Sequence, residues 1–132
     1  MKALDRYADI PFTIMRVVTG LAFMTHGAQK ILGVLGGTVQ TFGTQMWLGG
    51  VIELVCGALI ALGLLTRPAA LLASGTMAVA YVQFHWKGDL GERFFPVINK
   101  GELALVYAVV FLTLVFVGGG KYSLDSIIRH RR

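Results

Sequence analysis

The sequence predicts an all-α integral membrane protein, a four-helix bundle with both termini cytoplasmic. Three observations carry that prediction. Of 132 residues, 55% are hydrophobic and 14% charged, whereas a soluble domain averages about 25% charged and one this small, with much surface per unit volume, needs more. Mean hydropathy is +0.69. Four apolar stretches approach the ~20 residues that cross a ~30 Å hydrocarbon layer, and the basic residues gather at their ends.

The first stretch, 10–31, is interrupted by Arg16, His26 and Lys30. Lys2 and Arg6 precede it, but so do Asp5 and Asp9, and no small-x-small site ends it. It therefore reads as a retained span and not a cleaved signal. The second, 46–65, carries a single charge, Glu53. The third, 68–84, follows a short break and opens on Pro68, which suits a first helical turn. The fourth, 102–117, stops at Gly118-Gly119-Gly120. These spans leave room for short loops and tails only, so residues 1–132 form a single transmembrane domain. Gly20 and Gly27 in the first span, and Gly49, Gly50 and Gly57 in the second, suit close helix packing in lipid.

Orientation follows from the distribution of Lys and Arg. Lys2, Arg6, Arg67, Lys121, Arg129, Arg131 and Arg132 fall on one side of a four-span chain. The opposite side has a neutral loop, 33–45, and a mixed loop, 87–100. The basic side is expected to be cytoplasmic, and the chain multi-pass. The net charge of +5 thus reflects topology and anionic lipid; no solvated basic patch exists to bind nucleic acid. Cys56 is the one cysteine, so no intrachain disulfide forms. No Walker loop, CxxC, HExxH or GxSxG motif occurs. The methionines read as packing residues, and no metal site is expected.

A charge at mid-span costs about 2.5–3.5 kcal/mol on insertion scales, so it faces the bundle interior and has a partner. On a helical wheel Arg16, Thr19, Phe23, His26 and Lys30 fall within an arc of about 80°. His26, Lys30, Glu53, Gln83, His85 and Glu102 are expected to converge in the outer half of the bundle, with Arg16 about two turns deeper and reaching toward Glu53. Phe23, Trp47, Tyr81 and Phe84 are expected to line the apolar part of such a pocket. The competing structural reading pairs Arg16 with Glu53 and Lys30 with Glu102 to fix helix register. His26 and His85 are also a conceivable haem pair, but no further signal in the sequence supports haem.

The stretch Arg16–Lys30 (RVVTGLAFMTHGAQK) resembles the opening helix of the DoxX family. Gly50–Gly57 (GVIELVCG), Leu62–Arg67 (LGLLTR), Asn99–Leu105 (NKGELAL) and Gly120–Asp125 (GKYSLD) are also similar to family signatures, in order and at suitable spacing. The resemblance implies a small four-helix protein of the bacterial inner membrane, with relatives in quinone-linked and thiol or oxidative-stress redox systems. The family positions carried over are Arg16, His26, Lys30, Glu53, Arg67 and Glu102. The short glycine-rich first outer loop departs from the family pattern.

Three functions are open at this point. In the first, the chain is the membrane subunit of a redox system and a quinone is the cofactor. His26 and Glu53 act as the catalytic pair, bonding its head group and carrying protons outward, and Arg16 or Lys30 stabilises a reduced anion. A soluble or membrane oxidoreductase partner supplies the electrons. The second is a binding or transport module, which with four short spans would have to form a homo-oligomer. The third is a membrane anchor or assembly scaffold.

Overall fold

A computed structural model describes residues 2–130. The elements are α1 (Lys2–Asp5), α2 (Asp9–Leu32), α3 (Gln45–Leu62), α4 (Thr66–Ala80, continued by a π-helical turn Tyr81–Trp86), a 3-10 turn (Glu92–Phe94), α5 (Pro96–Asn99), α6 (Glu102–Val117) and α7 (Leu124–His130). The protein is all-helical, as the apolar periodicity requires. Arg131 and Arg132, read as cytoplasmic topology signals, lie outside the described residues, as does the side chain of Lys2.

Boundaries shift by a few residues from expectation, each for a local reason. The second apolar run stops helically at Leu62 and not at 65, because Gly63 takes the left-handed conformation (φ 69°) that closes a helix C-terminus. The third helix opens at Thr66, ahead of Pro68. Leu65 precedes it with φ 48° and supplies no cap of its own. The cap comes from the other end of the chain: Asp125 accepts from the amides of Leu65 at 2.8 Å and Thr66 at 2.9 Å. Burial pushes the Asp125 carboxyl up, but these amide bonds and the Arg129 charge outweigh it and hold the group below its ordinary value.

Helix α2 packs antiparallel on α3, α4 on α6, and α3 joins the two pairs. Glycine sets the first seam. A Cβ on Gly20 meets the carbonyl oxygen of Gly57 at 2.9 Å, and one on Gly27 meets that of Gly50 at 2.6 Å. Gly20 thus faces Gly57 and Gly27 faces Gly50, seven residues along each helix, and the backbones touch directly. Gly49, expected to pack with them, faces open space instead. The second seam buries Ala69, Ala70 and Ala73 on α4 and Ala104 and Ala108 on α6, and Ser74 donates across it to the Ala108 carbonyl at 2.8 Å. Between the pairs, Phe23 meets Phe111 edge-on at 4.8 Å, and Tyr107 stacks on Phe111 at 5.5 Å.

Apolar side chains also cover the outside. Ile14, Val18 and Leu21 on α2, Val55 on α3, Leu71 and Leu72 on α4, and Val106, Val109 and Phe116 on α6 are all exposed. Among the described residues, α3 alone meets both the length and the hydropathy of a bilayer-crossing helix. Helix α6 is apolar but only 16 residues long, and α2 is interrupted by Arg16 and Lys30.

Candidate functional site

Helix direction decides where each charged side chain goes. A helical Cα–Cβ bond tilts toward the helix N-terminus. On α2 the side chains therefore lean toward the end holding Asp9, and on α3 they lean toward the end holding Gln45. Lys30 and Glu53 stand about 9 Å apart along the axes in the glycine register, and they lean toward one another. Lys30 Nζ closes on Glu53 Oε1 at 2.6 Å. Glu53 is 3% exposed and its Oε2 has no hydrogen-bond partner.

The same tilt carries Arg16 away from Glu53. Its Nη1 donates to the carbonyls of Ile60 (2.6 Å) and Ala61 (2.7 Å), and its Nη2 to that of Tyr122 (2.8 Å). A cation here satisfies the open carbonyls at the C-terminus of α3 and complements the helix dipole. The expected reach of Arg16 toward Glu53 is therefore corrected. Lys30 does not pair with Glu102 either, since its ammonium lies on Glu53.

A cavity of about 640 Å³ lies against this ion pair, and Phe23, His26 and Tyr107 form part of its wall. His26, Lys30, Glu53 and His85 all line it, so four of the six groups expected to converge do so. Gln83 and Glu102 do not line it. Both are exposed, and Gln83 accepts a hydrogen bond from Gln45 instead. Within the terminal π turn, Phe84 and His85 line the cavity, and His85 Nδ1 lies 3.2 Å from the Asn99 carbonyl oxygen. Of the expected aromatic wall, Phe23 and Phe84 contribute. Trp47 packs on Phe42 at 4.6 Å, and the Tyr81 hydroxyl accepts from Asn99, so neither lines the cavity.

Tyr107 and Lys100 were not singled out from the sequence, yet both line the cavity. Tyr107 is the one tyrosine in α6, whose other polar side chains are Glu102 and Thr113, and that was the available signal. Its ring stands nearly perpendicular to that of His26, centroids 6.4 Å apart. Most of the remaining wall is apolar, including Met46, Leu48, Ile52 and Met77. The arrangement offers hydrogen-bond donors and acceptors at one place and an apolar enclosure elsewhere. Among the described residues, no three His, Cys, Asp or Glu side chains come together to hold a metal.

Fold and cavity define a class: a helical protein with an apolar exterior and a ligand-sized cavity lined by an ion pair whose carboxylate is buried. The DoxX family profile matches residues 12–86, and the chain belongs to the DoxX family. It is 39% identical to an uncharacterized protein of Haemophilus influenzae, covering 96% of both chains. It is 33% identical to an uncharacterized membrane protein of Mycobacterium tuberculosis, over 89% of this chain and 80% of that one. It is 26% identical to a Bacillus subtilis protein named "Putative oxidoreductase CatD", over 95% of this chain and 92% of that one. No solved structure matches. Family membership associates the chain with a lipid bilayer in a bacterial membrane.

Proposed function

We propose that the chain crosses the bacterial inner membrane four times with both termini cytoplasmic, and serves as the membrane subunit of a redox system that holds a quinone head group in the cavity. The observation that carries this reading is the Lys30–Glu53 pair, its carboxylate buried, lining a cavity among helices whose outer faces are apolar. All the long helices expose large apolar side chains; contiguous surface of this kind marks a contact with lipid or a partner, and lipid covers it at no cost. Arg6, Arg67, Lys121 and Arg129 belong to the same end of the bundle, the N-terminus of α2 and the chain reversals beside it, as the positive-inside rule requires of the cytoplasmic side.

The residues fit a quinone ring. The volume lies within the ~300–1,000 Å³ of small-molecule sites, with a mostly apolar lining and a few convergent polar groups. Lys30 and Tyr107 can donate to a carbonyl oxygen, His26 can donate or accept, and the orphaned Oε2 of Glu53 is an acceptor for a hydroxyl. When bound, a quinone supplies a carrier for two electrons and two protons. The protein side of the chemistry is to orient the ring and exclude water. His26 stands where it can hold or release a proton beside the ring, and Lys30 balances the charge of Glu53. Electrons come from an oxidoreductase partner. The likeness to a protein named as an oxidoreductase supports the redox class.

Titrating the purified protein with a benzoquinone tests this. His26→Ala and Glu53→Gln are expected to weaken binding at least tenfold while the thermal transition moves little. Equal binding by both variants and the wild type, or loss of fold without any binding by the wild type, would point to the anchoring role in place of the redox one.

A further inference from the structure

Two glycines in the interiors of the long helices pack against nothing. A Cβ built on Gly20, Gly27, Gly50 or Gly57 collides with the facing helix, and that contact explains each of these residues. A Cβ on Gly49 or Gly75 meets no atom within 4 Å. Glycine in a helix is destabilising relative to alanine, and at these two positions no helix contact offsets it. Both line the cavity, one on α3 and the other on α4. Leu48 on α3 and Leu71 and Leu72 on α4 line it too, and each is about half exposed on the outer surface. The cavity therefore opens sideways along the α3–α4 seam. Glu53, one turn from Gly49 on α3, lines the same cavity; it is 3% exposed and has an oxygen that lacks a partner.

We infer that Gly49 and Gly75 form a lateral slot between α3 and α4, which holds the long apolar tail of a membrane-dissolved ring compound while the ring sits at His26 and the Lys30–Glu53 pair. This rests on the proposed head-group site and adds the class of ligand: one polar ring carrying one long hydrocarbon chain that enters from the bilayer. A Cβ and branched terminus at either glycine would fill space that nothing else occupies, so the slot can be closed without disturbing the glycine seam of α2 and α3. A chain running through the slot also explains why the cavity wall is apolar where it meets the outside.

The test uses two probes, a benzoquinone bearing a ten-carbon chain and the same ring without the chain. Their affinities are measured on the full-length protein in lipid nanodiscs. For the wild type the chain is expected to raise affinity at least about tenfold beyond its partition into the lipid of empty discs. In Gly49→Leu and in Gly75→Leu that gain is expected to fall toward one. Placing the variants in different helices leaves a second measurement if one fails to fold. A gain retained in both variants would overturn the slot while leaving the head-group site standing. If neither probe binds the wild type, both the slot and the head-group site are overturned.

Discussion

Lys30 and Glu53 pair at the wall of the cavity, and their energetics are asymmetric. Lys30 is 26% exposed and can reach water without its partner, whereas Glu53 at 3% exposure cannot. Removing the cation leaves a buried, uncompensated carboxylate. Lys30→Met is therefore expected to cost about 3–5 kcal/mol, and Glu53→Gln much less, when unfolding is followed by denaturant titration in detergent. The double variant Lys30→Met/Glu53→Leu should recover most of the loss. Equal costs for the two single variants would show that the pair is not buried in this way. Arg16 has no such role at the site. It bonds three backbone carbonyls, so its replacement should loosen the Asp9 end of the bundle and leave cavity binding in place.

At the scale of elements, glycine and the carboxy-terminal segment decide how the helices meet. Gly27→Leu drives a side chain into the α3 backbone at Leu54 and is expected to destabilise by about 1–3 kcal/mol or more. Gly49→Ala has room and is expected to gain about 0.5–1 kcal/mol in helix propensity; the same unfolding assay compares them. Helix α7 docks through Asp125, which caps α4 and whose amide donates to the Gly63 carbonyl at 2.8 Å. Because its carboxyl is held below the ordinary value, the stabilisation is complete above about pH 4 and is lost as pH falls through the depressed value. A spin label at Ile127→Cys, in a Cys56→Ser background, should become mobile over that acid range. Asp125→Asn should loosen it at neutral pH, and a label equally immobile in that variant would refute the clamp. The glycine seam was partly legible in the sequence, since Gly20 and Gly27 match Gly50 and Gly57 in spacing. The cap from Asp125 was not, because it joins positions about sixty residues apart that share no pattern.

For the whole molecule, the helices were legible because apolar runs of this length have few alternatives, and the clustering of His26, Lys30 and Glu53 was legible because helical periodicity puts polar residues on one stripe. Which cation meets Glu53 was not. A wheel gives the angular position of Arg16 and Lys30, but the choice depends on the tilt of each side chain along the axis and on the antiparallel register of α2 and α3. Tyr107 escaped notice because it reads as one more apolar residue in α6. The proposed function puts a redox ligand at the Lys30–Glu53 pair of a membrane-embedded protein. The most direct measurement is an absorption spectrum of the gently purified protein, with mass spectrometry of its organic extract. The account expects a quinone at close to one per chain in the wild type and its loss from a folded Glu53→Gln variant. An extract containing phospholipid alone, or a variant that retains the quinone in full, would contradict it.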